Sequence, residues 1–233
     1  MSETQDIQWK RLFVEAITII ASILLAFAID AWWEERSDRI RLTAAIQNIA
    51  AEVGDAREEI EKAVQRNQGR IDGMRQFLLL SPDELLTLDE DAIQSIGEAF
   101  LTPSPFDTSG FALQGFLTGG SMELIANDAL ADALITWAQF PNEIERDYAE
   151  SIRLFMVLLD RIAKHSVYTS IINVYSDHEV PGAIPLRDAL VSFRRDTEAV
   201  EAVAQVLLYF DDFNSQLSEG VDYADQVLKA SQR

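Results

Sequence analysis

The sequence predicts an all-α protein, in which an N-terminal transmembrane helix continues into a long helix and a helical bundle follows. Three observations lead to this prediction. Residues 12–33 are far more apolar than the rest of the chain and long enough to cross a bilayer. In most of the remainder, apolar residues recur at intervals of three and four, the spacing of one helix face. The alternating pattern of half-buried strands is nearly absent.

The membrane helix is predicted over Leu12 to Trp33, which is 22 residues or roughly 33 Å of helix. Its centre, Ala16 to Ile29, contains no charged residue. Glu15 and Asp30 then fall near the two interfaces, where a carboxylate reaches water. The span separates a short tail, residues 1–11, from a helical domain, residues 34–233.

Two other interpretations of this stretch compete with the membrane anchor. A cleavable secretory signal would also have a basic start, here Lys10 and Arg11, and a small-x-small site, here Ala26-Phe27-Ala28. A soluble protein could bury such a helix in its core. The two tryptophans at positions 32 and 33 favour an anchor, because an aromatic belt is typical of a membrane interface.

Several residues flank the span as predicted interface groups. The positive residues before and after it are nearly balanced, so their count does not decide the orientation. A short tail followed by a long acidic domain resembles an uncleaved signal anchor, which predicts a cytoplasmic tail and a periplasmic domain at a bacterial inner membrane. The interface residues are Lys10, Arg11, Asp30, Trp32, Glu34 and Arg36.

One face of the membrane helix is small and polar, and we predict that it contacts another helix. Ser22 and Ala26 form a small-x-x-x-small pair, which lets two backbones approach closely in lipid. The alternative is that alanine is simply common in membrane helices. A pore is less economical, since Glu15 and Asp30 are explained as interfacial groups. The contact stripe consists of Glu15, Thr18, Ser22, Ala26 and Trp33.

A long helix is predicted to continue from Glu34 to Leu80. Asn67 interrupts its apolar stripe, either as a buried residue that sets register or as a solvated break. Gly54, Gly69 and Gly73 predict a bend or a close crossing. The apolar stripe consists of Ile46, Ile49, Val53, Ala56, Ile60, Val64, Ile71, Met74 and Leu78.

Helix-start signals divide the next part of the chain. Ser81-Pro82-Asp83-Glu84 is a capping box with proline at the first helical position. The acidic triplet 89–91 indicates a second start, leading into residues 92–101. A loop is predicted over 102–105 and a short helix over 111–117, before a break at Gly119-Gly120.

Further starts follow at Ser121 and at Asn127-Asp128, the second leading to Pro141. A separate helix is predicted from Asn142 to about Ile172, and then a loop over 177–182. The last helix begins near residue 196, with a predicted weak point at Gly220.

Composition and motifs argue against enzymatic chemistry. A net charge of −20 is unsuited to nucleic acid, and the absence of cysteine excludes disulfides and thiolate metal sites. His165, with Asp160 and Asp177, could form a metal site only through folding, and a surface or core histidine is the favoured interpretation. We recognise no catalytic motif. The sequence therefore predicts no enzyme activity, no cofactor and no metal.

The end of the membrane helix, residues 28–36, resembles a family of uncharacterised bacterial single-pass proteins with a Trp-x-Glu-x-Arg motif, matched by Trp32, Glu34 and Arg36. Residues 46–53, which include Glu52, are similar to the family's next helix, and residues 121–130 resemble a second block. Ala28 and Ala31 depart from the family, which usually has polar amides there. The resemblance implies architecture only, because the family has no assigned activity.

Three functional classes are compatible with this sequence. We predict a non-enzymatic interaction module, either an oligomer or an accessory, structural subunit of a larger assembly, whose partners are membrane lipid and other membrane subunits or further copies. An extracytoplasmic sensor or ligand-binding domain is the first alternative. An unrecognised enzyme or channel subunit is the second.

Overall fold

The computed structural model describes residues 9–101, 111–119, 121–176 and 178–232. These residues form eight α-helices, one 3-10 helix (Ser121–Leu124) and no strand, which confirms the all-α prediction. The predicted tail up to residue 8, the loop 102–105, Gly120 and Asp177 lie outside them. The helices are α1 (Trp9–Leu79), α2 (Pro82–Leu85), α3 (Glu90–Glu98), α4 (Phe111–Thr118), α5 (Asp128–Lys164), α6 (Val167–Tyr175), α7 (Leu186–Arg195) and α8 (Thr197–Ser231).

The chain divides into two compact units, Met1–Asn48 and Ile49–Arg233. In the first unit, every side chain from residue 12 to residue 36 is exposed. Among the helices of the described residues, α1 alone is long and apolar enough to cross a membrane. An apolar surface of this extent is unfavourable in water.

In the second unit, α1 presents the predicted apolar stripe to the core. Ile49, Val53 and Ile60 are all buried. Asn67 is only 1% exposed. It is therefore a buried residue of the stripe and does not form a solvated break. Arg70 Nη1 donates to Asn67 Oδ1 over 3.2 Å, which satisfies one polar atom of this buried side chain.

The predicted helix starts at Ser81 and Asp89 are confirmed. Ser81 Oγ accepts from Glu84 N over 3.2 Å, and Glu84 Oε2 accepts from Ser81 N over 2.7 Å, which completes the capping box. Asp89 Oδ1 accepts from Ala92 N over 2.8 Å at the start of α3. Side-chain oxygens thus satisfy backbone N–H groups that have no partner within the helix.

Two predicted boundaries are wrong. The helix predicted to end at Pro141 continues through it as α5, and the helix predicted to reach Ile172 breaks at Ser166, whose φ is +57°. Phe140 explains the first error, since it is buried against α8 beside the proline. A Cβ placed on Gly220 would lie 2.2 Å from Phe140 Cζ, so Gly220 is a close-packing site and not a weak point of α8.

The helix α7 was not predicted from the sequence. Its buried side chains include Leu186, Leu190 and Phe193. Phe193 lies 5.2 Å from Phe77 and 5.3 Å from Phe100 between ring centroids, which forms an aromatic cluster at the centre of the core. This short helix therefore packs on the end of α1 and on the turn that follows α3.

Candidate functional site

The predicted contact stripe lies entirely on the exposed surface of α1. Thr18 Oγ1 donates to Val14 O over 2.8 Å, and Ser22 Oγ donates to Thr18 O over 2.7 Å. Both hydroxyl protons are therefore satisfied within the helix, as lipid requires. The hydroxyl oxygens keep a lone pair for a donor on a neighbouring helix.

At the predicted interface, the structure brings an arginine and a tryptophan together. The Arg36 guanidinium lies 5.7 Å from the centroid of the Trp32 ring, a cation–π distance. The rings of Trp32 and Trp33 are 6.4 Å apart. Asp30 and Glu34 are exposed, while the side chains of Lys10 and Arg11 lie outside those that the structure describes.

His165 forms a polar cluster at the junction of α5, α7 and α8. Its Nδ1 lies 2.9 Å from Ser192 Oγ, and its Nε2 lies 2.9 Å from Asp196 Oδ2. The structure thus pairs His165 with Ser192 and Asp196 and not with Asp160, which the sequence suggests as its partner in a metal site. Among the described residues, no group of three or more His, Cys, Asp or Glu side chains is arranged to hold a metal ion.

Serine, histidine and aspartate in contact resemble a nucleophile, a base and its orienting acid. Ser192, however, lies within α7, where the backbone N–H groups are committed to helical hydrogen bonds and cannot form an oxyanion hole. Asp196 is also the N-cap of α8, since its Oδ1 accepts from Glu198 N over 3.0 Å. The cluster is therefore a structural link between three helices.

This link makes stability depend on pH. The pKa of the Asp196 carboxyl is held well below its usual range, and the hydrogen bond with His165 is the main cause. Partial burial opposes this shift, whereas the Ala199 N–H and Lys164 add to it. Because the folded-state pKa is lowered, the ionised carboxylate stabilises the fold fully above the unfolded pKa of about 3.9. That stabilisation is lost as the pH falls below this value.

We expect Asp196→Asn, which keeps a capping oxygen but loses the charge, to melt below the wild type at pH 6. The difference in melting temperature should shrink between about pH 4 and pH 2, because the wild-type carboxyl is then protonated in the unfolded state and progressively in the folded state. Circular dichroism melts across this range measure it. Asp160→Asn removes an exposed charge near the C-terminal end of α5 and serves as the control. A difference that stays constant with pH would contradict this role of Asp196.

A cavity of about 260 Å³ lies between α1, α4 and α5. Glu52 is the charged residue among its lining side chains. Glu52 Oε2 accepts from Ala112 N over 2.9 Å, at the first turn of α4. Glu52 Oε1 is buried and has no hydrogen-bond partner among the described residues. No sequence motif predicts a cavity here, and Glu52 stands out in the sequence only through the family resemblance.

The α5 side of the cavity combines an aromatic wall with an interrupted helix. Trp137 is buried and stacks on Phe140, with 5.6 Å between ring centroids. Pro141 also lines the cavity. Since proline has no N–H, the carbonyl of Trp137, four residues earlier, lacks its usual helical donor. An aromatic pair and a proline within α5 therefore form one side of this cavity.

The comparisons with known proteins add no family to this description. No protein-family model, no curated protein and no solved structure matches the chain.

Proposed function

We propose that this protein is a membrane-anchored, non-enzymatic helical interaction module, which acts as an oligomer or as an accessory, structural subunit of a larger bacterial inner-membrane assembly. The observation that carries the proposal is the exposed apolar surface of residues 12–33, which lies on the same unbroken helix as the buried seam of the bundle. Membership of the family with the Trp-x-Glu-x-Arg motif is part of this proposal.

The continuity of α1 supports an interaction role over a simple tether. A flexible linker after a membrane helix is usually rich in glycine, serine or proline, whereas α1 remains helical from Trp9 to Leu79. Lipid, other membrane subunits or further copies of this chain are the partners that we propose.

The orientation that we propose places the tail in the cytoplasm, residues 12–33 across the inner membrane and the helical domain in the periplasm. The support is that an apolar span followed by a long domain resembles an uncleaved signal anchor. Long domains translocate largely regardless of their charge, so the acidic balance of the domain does not oppose this orientation. Reporter fusions after Leu80 and at Arg233 measure the orientation, and a cytoplasmic signal at both positions would contradict it.

The predicted contact stripe is tested by the double variant Ser22→Ile with Ala26→Leu. The longer side chains should keep the backbones of neighbouring helices apart, while membrane insertion persists because hydrophobicity rises. We expect loss of interhelical contacts worth about 0.5–2 kcal/mol, seen as fewer cross-linked and co-purifying species in native mass spectrometry from native membranes.

The matched control is Ile20→Leu, which lies off the stripe and should leave association unchanged. If the double variant inserts and its cross-linked and co-purified species equal those of the wild type, the stripe is not the contact surface. A wild-type protein that is extracted as a monomer without any partner would contradict the interaction module itself.

A ligand-binding or sensor domain is the second candidate, and the cavity beside Glu52 is the observation that favours it. Ligand pockets are mostly apolar with a few convergent polar groups, which fits this cavity. The two candidates are compatible, since an accessory subunit can also bind a small molecule. Within the part of the chain that the structure describes, no comparable feature favours the enzyme or channel alternative.

A further inference from the structure

We propose that α1, just beyond the apolar stretch 12–33, binds the phosphate of an anionic glycerophospholipid. The site is an open groove of about 170 Å³ on the surface of the helix, which we call the arginine groove. The inference rests on the proposed membrane placement of residues 12–33, and it names the class of lipid that contacts this helix. The groove is lined by Trp33, Arg36, Ser37, Ile40 and Arg41.

Arg36 brings an uncompensated positive charge to the arginine groove. Arg39 pairs with Glu35, and Arg41 Nη2 donates to Asp38 Oδ1 over 2.5 Å. Among residues 34–41, Arg36 is the arginine that forms no ion pair with a described carboxylate. Its guanidinium lies 5.7 Å from the centroid of the Trp32 ring, a contact that satisfies none of its N–H donors.

No carboxylate is among the residues that line the groove. With roughly 100° of turn per residue, α1 places the acidic residues of this segment on the side away from the centre of the groove. Those acidic residues are Glu34, Glu35 and Asp38. Although the whole chain has a net charge of −20, the groove itself therefore favours an anion.

The other lining side chains suit a phosphate that is attached to an apolar body. Ser37 and Trp33 each carry a further hydrogen-bond donor, and a guanidinium can form paired hydrogen bonds with phosphate oxygens. Trp33 and Ile40 are exposed and offer apolar surface to the glycerol and acyl parts of a lipid. A free phosphate ion would leave that apolar surface in water.

The position of the groove also selects a lipid as its occupant. Tryptophan is typical of the membrane interface, and Arg36 follows Trp33 by about 4.5 Å along the helix, within the reach of a lipid headgroup. A headgroup that carries an ammonium group would bring a cation against Arg36 and Arg41. A second copy of α1 on this groove would bring two Arg36 charges together, which is also unfavourable.

The experiment titrates phosphatidylglycerol into the gently solubilised full-length protein, and native mass spectrometry measures the apparent Kd of the first retained lipid. The wild type should retain phosphatidylglycerol more tightly than phosphatidylcholine. Diacylglycerol, which has acyl chains without a phosphate, should be retained least. Excess inorganic phosphate, which supplies the anion without acyl chains, should not displace phosphatidylglycerol.

Arg36→Gln is the diagnostic variant, because it removes the uncompensated charge from an exposed position of the helix. We expect it to weaken phosphatidylglycerol retention about three- to tenfold, between the effects of exposed and of dehydrated charge pairs, and to remove the preference over phosphatidylcholine. Arg39→Gln is the matched control, since Arg39 is also exposed but does not line the arginine groove. Its retention should stay within about twofold of the wild type.

Equal weakening by the two variants would overturn the proposal, because it would show a response to net charge alone. Undiminished retention by Arg36→Gln would overturn it as well, and so would displacement by inorganic phosphate. Fractionation and cross-linking of the wild type test the interaction module separately. Failure of the lipid test in a protein that stays in the membrane and associates would therefore contradict the arginine groove alone.

Discussion

Replacing Phe193 with alanine is expected to lower the free energy of unfolding of the helical domain by about 3–5 kcal/mol. Phe193 is fully buried, and its ring contacts those of Phe77 and Phe100. Truncation would remove apolar burial and also leave a cavity that three helices border. The loss should therefore exceed that of most single substitutions.

Urea denaturation of the full-length protein in nanodiscs, followed by circular dichroism, measures this change. Leu208→Ala is the matched control, because Leu208 is 71% exposed on α8 and its truncation leaves no cavity. We expect a change within about 0.5 kcal/mol for the control. Equal effects of the two substitutions would mean that Phe193 does not lie at the centre of the core.

Placing arginine at both Ile20 and Leu24 should abolish membrane anchoring. Each arginine near the centre of a membrane helix costs about 2.5–3.5 kcal/mol of insertion free energy. Both positions are exposed and lie within Ala16 to Ile29, a stretch that contains no charged residue. The variant should appear in the soluble fraction, and a reporter fused at Arg233 should switch to a cytoplasmic signal.

Leu208→Arg adds a charge at an exposed apolar position of the domain and should leave fractionation unchanged. A domain that stays folded while it leaves the membrane would show that residues 12–33 serve anchoring and not core formation. Retention of the double-arginine variant in the membrane would mean that another part of the chain holds it there.

Local chemistry in the sequence was sufficient to predict much of the fold. The capping box at Ser81 and the cap at Asp89 act within three residues, so their sequence patterns predict the hydrogen bonds directly. The apolar stripe of α1 follows from helix periodicity, which a linear sequence displays. The length and apolarity of residues 12–33 are visible directly in the sequence. These features require no knowledge of what packs against them.

Other features were decided by tertiary contacts. The sequence signal of Pro141 is a helix end, yet burial of Phe140 against Gly220 keeps α5 continuous. The short helix α7 has only 10 residues, a length that is marginal for an isolated helix, and its packing against Phe77 and Phe100 stabilises it. The cavity joins Glu52, Leu113 and Trp137 from three distant segments. The apolar span, the helix caps and the helix periodicity are thus determined by the sequence itself, whereas the candidate site arises from side chains that meet only when the bundle folds.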